Sequence, residues 1–236
     1  MTSSPLLAGR VALVTGASRG IGAAVAEALA REGAHVVLVA RTVGGLEEVD
    51  DRIRQAGGAA TLVPLDLTDA ARIDVLGQSV FERFGRLDVL VGNAGMLGNF
   101  GPVAQFDPKT WDRVMATNLT ANYRLIRTFD RVLRASDAGR AIFVTSGVAG
   151  GDIPYGGAYA VSKAGLETMV RLYAAEVARS ALRVNLIDPG VVRTKMRAQG
   201  FPGEDASSLP APEDVAGRFV ELASPACTRH GEILRL

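Results

Sequence analysis

Short apolar runs alternate with longer segments of helical periodicity along most of the chain, and this alternation limits the folds that it can adopt. The runs are compact and rich in β-branched residues, without a regular apolar–polar alternation. Such runs are typical of strands that are buried on both faces of a parallel sheet. They lie at 10–14, 35–40, 60–66, 87–92, 141–145 and 182–187, with a weaker candidate at 232–236.

The segments between these runs carry apolar residues at helical spacing. Within 21–32, for example, Ile21, Val25, Ala28 and Leu29 share one face. Similar patterns predict helices over 45–56, 69–84, 108–134 and 157–179. Repeated strand–helix units predict an open, doubly wound α/β sheet with right-handed crossovers. A closed α/β barrel is the alternative, but it needs eight such units and only six or seven are found.

Composition and charge narrow the function classes. The chain has 236 residues, 48% of them apolar and 22% charged, with a net charge of +1. One globular domain over 1–236 is expected, with no nucleic-acid or membrane partner. The start of the chain lacks the basic and apolar regions of a secretory signal, and no apolar run reaches the ~18 residues of a membrane span. A cytoplasmic location is therefore expected.

Cysteine and histidine are scarce. Cys227 is the single cysteine, which excludes a disulfide within one chain and fits a reducing compartment. The two histidines, His35 and His230, have no neighbours at metal-ligand spacing, so we expect no metal site.

The glycine-rich stretch TGASRGIG at 15–22 follows the first predicted strand and opens the first predicted helix. Gly16, Gly20 and Gly22 permit positive φ and let the backbone approach a ligand closely. A helix N-terminus offers free N–H groups and a positive dipole end. A tight turn alone would use the same residues, and the G-x-x-x-G-x-G spacing departs from the usual fingerprint. Its position nevertheless favours a dinucleotide pyrophosphate site.

The end of the second predicted strand bears on cofactor choice. Sheets that bind NAD usually place an acidic residue there, whereas this chain has Ala40 and Arg41. Together with Arg19 in the glycine turn, Arg41 favours a ribose 2′-phosphate, so we expect NADP, with NAD as the alternative. Both arginines would otherwise be solvated surface residues. Asp66, in the third predicted strand, either meets the adenine or caps the next helix.

Six short motifs in order resemble those of the short-chain dehydrogenase/reductase family. They are TGASRGIG at 15–22, NAG at 93–95, Asn118 within MATNLT, Ser146 in VTSG, YAVSK at 159–163 and DPGVVRT at 188–194. The resemblance covers nearly the whole chain, from GRVALVTGASRGIG to HGEIL. It implies a Rossmann-like, doubly wound, three-layer α/β sandwich with a mainly parallel seven-stranded sheet. It also implies a nicotinamide cofactor and reversible hydride transfer between a carbonyl and an alcohol.

Tyr159 and Lys163 are the residues that would carry proton transfer. At i and i+4 of a predicted helix they share one face. An unperturbed tyrosine has a pKa of about 10. Because an ammonium group stabilises a neighbouring phenolate, we expect Lys163 to lower the pKa of Tyr159. Chance spacing, with a core tyrosine whose hydroxyl is satisfied, is the alternative interpretation.

The resemblance implies a catalytic set of Asn118, Ser146, Tyr159 and Lys163. Tyr159 would exchange the proton, Lys163 would also bind the nicotinamide ribose hydroxyls, and Ser146 would hydrogen-bond the substrate oxygen. Asn118 would hold a water that connects Lys163 to solvent. Ser146 in a turn cap and Asn118 in a helix cap are the structural alternatives.

The predicted cofactor-binding set is drawn from four of the six motifs, together with Arg41, Asp66 and Leu67. The 93–95 motif resembles the segment that lines the adenine–ribose pocket, and the 189–194 segment resembles the one that packs against the nicotinamide. The expected residues are Gly16, Ser18, Arg19, Gly20, Ile21, Gly22, Arg41, Asp66, Leu67, Asn93, Ala94, Gly95, Tyr159, Lys163, Pro189, Gly190, Val192 and Thr194.

Substrate selection is expected in the loops 94–104 and 147–157 and in a substrate loop at 193–210. Their apolar side chains indicate a mostly apolar carbonyl compound, a 3-ketoacyl-type substrate or another ketone. These side chains are Met96, Leu97, Phe100, Ile153, Tyr155, Met196 and Phe201. Arg193, Lys195 and Arg197 would either meet an acidic carrier or coenzyme A thioester, or form a solvated helix face.

Two further expectations concern assembly and activity. The long predicted helices carry apolar residues on more than one face, among them Leu166, Met169, Val170 and Tyr173. This pattern favours a homodimer or homotetramer, with burial against the sheet as the alternative. Since fold alone does not fix function, a non-catalytic NADP-binding sensor or scaffold stands as the alternative to an oxidoreductase.

Overall fold

The computed structural model describes residues 5–151 and 153–236, so residues 1–4 and 152 of the expected domain lie outside the described part. Seven strands are present: β1 (Val11–Thr15), β2 (His35–Ala40), β3 (Ala59–Pro64), β4 (Val89–Gly92), β5 (Arg140–Val144), β6 (Arg183–Asp188) and β7 (Ile233–Arg235). All seven coincide with predicted strands to within a few residues.

The strands form one open sheet in the order β3-β2-β1-β4-β5-β6-β7. Every pairing between neighbours is parallel. The predicted Rossmann-like, doubly wound sheet is therefore confirmed, and the barrel alternative is wrong. The strand order reverses between β1 and β4, and such a reversal opens a crevice at the carboxyl ends of the strands.

Helices cover both faces of the sheet. They are α1 (Gly20–Arg31), α2 (Val43–Gln55), α3 (Ala70–Phe84), α4 (Pro108–Met115), α5 (Ala121–Ala135), α6 (Gly157–Val177), α7 (Lys195–Gly200) and α8 (Pro212–Ala223). Helices α1, α2 and α8 pack on one face, and α3, α5 and α6 pack on the other. In the part of the chain that the structure describes, no helix is long and apolar enough to cross a membrane.

Alternation along each strand divides the apolar residues between two cores. Ala12 and Val14 of β1 belong to the core beneath α1, whereas Leu13 between them belongs to the core beneath α5. Because both faces of the strand are covered, apolar residues occupy consecutive positions. This double burial explains the continuous apolar runs of the sequence and forms the predicted three-layer sandwich.

Four elements differ from the sequence prediction, and one of them is the short helix α7, which lies within the expected substrate loop 193–210. The helix expected over 108–134 is interrupted by a π-helical turn at Ala116–Thr120, which separates α4 from α5. Helix α8 was not predicted; it begins at Pro212, and the N–H of Ala211 donates to Asp214 Oδ2 at 2.7 Å. Strand β3 ends at Pro64, so Asp66 lies beyond the strand rather than within it.

The apolar residues that were expected to indicate an oligomer are covered within one chain. Leu166, Val170 and Tyr173 of α6 are buried, and Met169 packs on the same core. The alternative, burial against the sheet, is therefore the correct interpretation of these residues. The oligomeric state itself stays a prediction.

A buried carboxylate joins the amino-terminal ends of the central strands. Asp88 is fully buried and accepts from the N–H of Val11 at 2.9 Å and the hydroxyl of Ser136 at 2.6 Å. Arg86 and Arg10 also donate to it. Burial raises the pKa of Asp88, but the hydrogen bonds from Arg86, Ser136 and Val11 outweigh burial and hold the pKa below 3.8.

We predict that Asp88→Asn lowers the free energy of unfolding near neutral pH by about 3 kcal/mol, because buried donors lose their charged acceptor. Because the pKa of Asp88 is lower in the folded protein than the ordinary value of 3.8, its ionised carboxylate stabilises the fold above pH 3.8. This stabilisation is lost as the pH falls through the pKa of the folded state. The difference between variant and wild type should therefore shrink in acid, as measured by urea denaturation.

The matched control is Asp137→Asn, since Asp137 also pairs with Arg10 and Arg86 but its side chain is 70% exposed. An exposed pair contributes less than about 1 kcal/mol. Equal losses in the two variants would contradict the assigned importance of Asp88.

Candidate active site

The crevice at the carboxyl edge begins where β1 and β4 end. Thr15 Oγ1 accepts from the backbone N–H groups of Asn93 and Ala94, each at 3.0 Å, and donates to the carbonyl oxygen of Val91. Asn93 Nδ2 donates to the carbonyl oxygen of Thr15 at 2.8 Å. These contacts fix the segment 93–95 against the end of the first strand.

The glycine turn lies directly beside this junction. Gly16 and Gly20 have φ of +67° and +57°, the left-handed region that favours glycine. A Cβ on Gly22 would clash with the Gly16 carbonyl and with Asn93 Nδ2, and a Cβ on Gly16 would lie 2.9 Å from the same nitrogen. The predicted glycines are therefore required by the close packing of this turn.

The turn leaves the first N–H groups of α1 available to a ligand. The residue before the helix, Arg19, makes no side-chain cap, and the first turn contains no acidic residue. Arg19 is exposed. It is followed by Gly20, and this pair lies between Ser18 and Ile21 in the chain. A helix start of this kind suits a bound phosphate group.

Arg41 and Asp66 lie close together at the ends of β2 and β3. Arg41 Nη1 is 4.0 Å from Asp66 Oδ2, and both side chains are exposed. Asp66 Oδ1 accepts from the N–H and hydroxyl of Thr68, and the backbone hydrogen bond is the main cause that lowers the pKa of Asp66. Asp69, which accepts from Arg72 N–H, is the cap of α3. The helix-cap interpretation of Asp66 is therefore wrong. The next predicted residue, Leu67, is buried.

The segment after β6 closes over the glycine turn. Gly190 has φ of +67°, and its N–H donates to Asp188 Oδ1 at 3.1 Å. Val192 is buried, and Thr194 accepts from Arg197 N–H at the start of α7. A Cβ on Gly20 would lie 3.5 Å from the Thr194 methyl group. The structure thus brings the predicted segments 16–22, 93–95 and 189–194 to one crevice.

Asn118 lies in the π-helical turn and is fully buried. Its Oδ1 accepts from Met96 N–H at 2.8 Å, and its Nδ2 donates to the Met96 carbonyl and to Ser162 Oγ. The Asn118 carbonyl accepts from Asn122 Nδ2 at 2.7 Å. Such π turns occur often at functional sites, and here the turn aims Asn118 at the 93–96 segment.

Lys163 is almost completely buried on α6, with 3% of its surface exposed. Its Nζ donates to the Val144 carbonyl oxygen at 2.7 Å and lies 5.7 Å from the centre of the Tyr159 ring. Burial lowers the pKa of Lys163 to about 8, against the raising effect of Asp188. A Cβ on Gly95 would lie 3.8 Å from Nζ and 3.4 Å from Asn118 Oδ1, so these groups share one pocket.

The pKa of Tyr159 moves in the direction opposite to the one expected. Burial raises the pKa, the hydrogen bond with Ser146 lowers it in part, and the charge of Asp188 raises it further. The expectation that Lys163 lowers the pKa of Tyr159 is therefore wrong when only the groups of the protein itself act on the phenol. Loss of hydration disfavours the phenolate more than the neighbouring groups stabilise it. The four predicted catalytic residues are nevertheless brought together from the π turn, the end of β5 and α6.

Three loops form the mouth of the crevice. The Phe100 and Phe201 rings are 5.7 Å apart, and Gly101 N–H donates to the Tyr155 carbonyl at 3.1 Å. Arg197 donates to Glu204 at 2.6 and 2.7 Å and stacks 3.6 Å over the Phe201 ring. Arg197 therefore holds the 193–210 loop together and does not join Arg193 and Lys195 in a free basic group.

The sequence predictions gave no role to two buried carboxylates in this region, although one of them, Asp188, opens the 188–194 motif. Glu167 accepts from Thr145 Oγ1 at 2.8 Å, and Asp188 ends β6. The signal for Asp188 was available, because an acidic residue closing a predicted buried strand must meet polar groups. Among residues 5–151 and 153–236, no cluster of His, Cys, Asp and Glu has the arrangement of a metal site.

Comparisons with known proteins give the family. The family model of the short-chain dehydrogenases matches residues 10–205. The uncharacterised oxidoreductase YciK of Escherichia coli is 38% identical over 92% of this chain and 87% of its own length. The 3-oxoacyl-[acyl-carrier-protein] reductase FabG of Vibrio harveyi is 34% identical over 93% of this chain and 91% of its own length.

A solved structure agrees with these matches. A short-chain dehydrogenase from Shigella flexneri, crystallised with NADP, is 35% identical, with a TM-score of 0.94 over 99% of each chain. The chain belongs to the short-chain dehydrogenase/reductase family, whose members are oxidoreductases that act on CH–OH groups.

Proposed function

We propose that this protein is an NADP(H)-dependent reductase of ketones that catalyses the reversible interconversion of a carbonyl and a secondary alcohol. The observation that carries the proposal is the convergence of Asn118, Ser146, Tyr159 and Lys163 beside the glycine-lined crevice. In this proposal Tyr159 supplies a proton, Lys163 supplies a buried cation, and Ser146 hydrogen-bonds the substrate oxygen.

The crevice fits a dinucleotide. Backbone glycines line it where a Cβ would clash, and the start of α1 presents unpaired N–H groups. Gly16, Gly20 and Gly22 would hold the pyrophosphate, the 93–95 segment would line the adenine–ribose pocket, and Thr194 would lie toward the nicotinamide. A bound nicotinamide supplies or accepts the hydride.

The side chains would manage the proton and the developing charge. In reduction the Tyr159 hydroxyl gives its proton to the substrate oxygen, to which Ser146 also donates a hydrogen bond. Lys163 stabilises the resulting phenolate, since an ammonium in a dry site interacts strongly with an anion. Asn118 would position a water on the route by which the phenolate regains a proton from solvent.

The preference for NADP rests on Arg19 and Arg41. Both are exposed, and strand β2 ends without an acidic residue that would repel a 2′-phosphate. Asp66 lies 4.0 Å from Arg41 and partly balances its charge, which leaves NAD as the second choice. The Shigella flexneri relative was crystallised with NADP.

The substrate would be a mostly apolar ketone, of 3-ketoacyl or another type. Phe100, Tyr155 and Phe201 present partly exposed aromatic surface at the mouth formed with the 193–210 substrate loop. The Vibrio harveyi relative is named for a 3-oxoacyl carrier substrate. Assembly as a homodimer or homotetramer is part of this proposal, supported by Val161 and Leu172, which stay exposed on α6.

We predict that Tyr159→Phe lowers kcat at least about 100-fold, since the proton donor is lost. NADPH oxidation with a panel of ketones measures this loss, and calorimetry should show that the variant still binds NADPH. The matched control is Tyr123→Phe, an exposed tyrosine on α5. Full activity of Tyr159→Phe would overturn the assignment. Cofactor binding by the wild type without turnover would favour the sensor or scaffold hypothesis.

The arginine hypothesis makes a separate prediction. Arg41→Ala should raise the Kd of NADPH about tenfold, the loss of one charge-assisted contact to a phosphate, and leave the Kd of NADH unchanged. Arg131→Ala, an exposed arginine on α5, is the control. Equal weakening of both cofactors would show that Arg41 does not contact a 2′-phosphate.

Burying the Lys163 ammonium should lower the free energy of unfolding, although the proposed reaction requires this residue. Its pKa shift from 10.5 to about 8 corresponds to a cost of about 3 kcal/mol at neutral pH. Lys163→Met removes this cost, but it also leaves the Val144 carbonyl oxygen without its hydrogen-bond donor. That loss destabilises the fold by about 1–2 kcal/mol, less than the cost that is removed. We predict that the variant is inactive and melts a few degrees higher than wild type at pH 7.

The pH dependence of the stability difference between Lys163→Met and wild type tests whether the buried ammonium causes it. A folded pKa of about 8 and an unfolded pKa of 10.5 mean that the cost is full below pH 8. It declines between these values, because the folded lysine releases its proton while the unfolded one keeps it. A stability difference between Lys163→Met and wild type that does not change from pH 7 to pH 10 would be evidence against a buried ammonium.

A further inference from the structure

Asp188 places a carboxylate inside the candidate active site. It is the last residue of β6 and is 8% exposed. Its Oδ1 accepts from Gly190 N–H at 3.1 Å. Its Oδ2 would lie 3.5 Å from a Cβ on Gly147, the residue after Ser146. One oxygen is thus held by backbone, and the other faces the loop that carries Ser146.

Asp188 and Lys163 meet at the ends of the same two strands. Lys163 Nζ donates to the carbonyl of Val144, which is in register with Ile187, the residue before Asp188. The charge of Asp188 acts on both Lys163 and Tyr159 and favours the protonated form of each. It is therefore a fixed charge common to the two groups that would handle the proton.

The other charged groups around α6 are differently placed. Glu167, one turn beyond Lys163, accepts from Thr145 and lies 3.7 Å from Arg171, which offsets its charge. Arg183 lies at the opposite end of β6 from Asp188. The charged residues of α4, and the β7 residue in register with Asp188, are all exposed: Lys109, Asp112, Arg113 and Arg235.

We propose that Asp188 is a positioning residue whose negative charge favours the protonated forms of both Lys163 and Tyr159, adding to the effect of burial on the phenol and opposing it on the ammonium. This inference builds on the proposed reductase function. In reduction the phenol O–H bond breaks as hydride reaches the carbonyl carbon, the proton goes to the substrate oxygen, and the phenolate then regains a proton from solvent. A neighbouring carboxylate opposes a standing phenolate and so restricts alcohol oxidation to higher pH.

The test uses the small number of lysines. The chain has three, and Lys109 and Lys195 are both exposed, so ¹³Cε-lysine labelling gives three NMR signals that Lys163→Met assigns. In wild type Lys163 should titrate at about 8. In Asp188→Asn, which keeps an acceptor for Gly190 N–H, its midpoint should move to lower pH while those of Lys109 and Lys195 stay unchanged.

Glu167→Gln is the control, because it removes a buried carboxylate from α6 without removing Asp188. Its Lys163 midpoint should match that of wild type. An unchanged or raised midpoint in Asp188→Asn would overturn the proposal. Should the asparagine variant fold poorly, Asp188→Ser keeps an oxygen for the backbone N–H and is subject to the same criterion.

Kinetics supply the second readout. At acidic pH the rate of alcohol oxidation should fall as Tyr159 becomes protonated. The pH at which the rate falls should be lower in Asp188→Asn than in wild type and unchanged in Glu167→Gln. A residue with only a structural role would change the rate itself and not the position of this acid limb. An acid limb that stays in place in Asp188→Asn would contradict the assigned effect on Tyr159. The NMR titration needs no substrate, so a shifted Lys163 signal with no turnover on any ketone would reject the proposed function and retain the electrostatic role of Asp188.

Discussion

A parallel sheet whose strand order reverses beside its first strand cannot close its carboxyl edge, and the candidate site is built around the resulting crevice. The chain from β1 turns to one face and the chain from β4 to the other. The Thr15 hydroxyl joins the ends of β1 and β4, because it accepts hydrogen bonds from the N–H groups of Asn93 and Ala94. This junction places the glycine turn next to the 93–96 segment, which in turn binds Asn118.

The two ends of the sheet use buried charge in opposite ways. At the amino-terminal edge, Asp88 has arginines, a hydroxyl and a backbone N–H as donors, and its pKa falls below the ordinary value. At the carboxyl edge, Lys163 has one carbonyl acceptor among the described residues, and its pKa falls because its charge is poorly compensated. The first arrangement stabilises the fold, whereas the second carries a cost in stability, which the proposed function of Lys163 would explain.

Most of the fold could be predicted from sequence because its strands are buried on both faces and therefore appear as continuous apolar runs. The glycine turn was also predictable, because its glycines follow a predicted strand and open a predicted helix, although the contacts with Asn93 that require Gly16 and Gly22 come from a distant part of the chain. Helix α8 was not predictable in the same way, because it begins at Pro212, at the end of a segment whose Pro and Gly residues at 200–212 indicate a loop. The π turn at Asn118 depends on contacts with Met96 and Ser162 that no local pattern encodes.

Site electrostatics were less predictable than site membership. The i, i+4 spacing placed Tyr159 and Lys163 on one helix face, but the sign of the pKa shift of Tyr159 depends on burial and on Asp188. Burial is a property of the whole fold, and Asp188 comes from a strand distant in sequence. Spacing therefore identified the pair, and tertiary structure determined which form of each group is favoured.

Backbone strain gives one more indication of how the mouth of the site is built. Tyr155 is the single non-glycine residue with positive φ, +67°, in the part of the chain with described coordinates. A conformation of this kind costs of the order of 1 kcal/mol or more, a cost that glycine would avoid. Its carbonyl accepts from Gly101 N–H, which fixes the backbone whatever the side chain. What tyrosine adds at this position is an exposed aromatic ring close to the start of α6, and under the proposed function this ring would contact an apolar substrate.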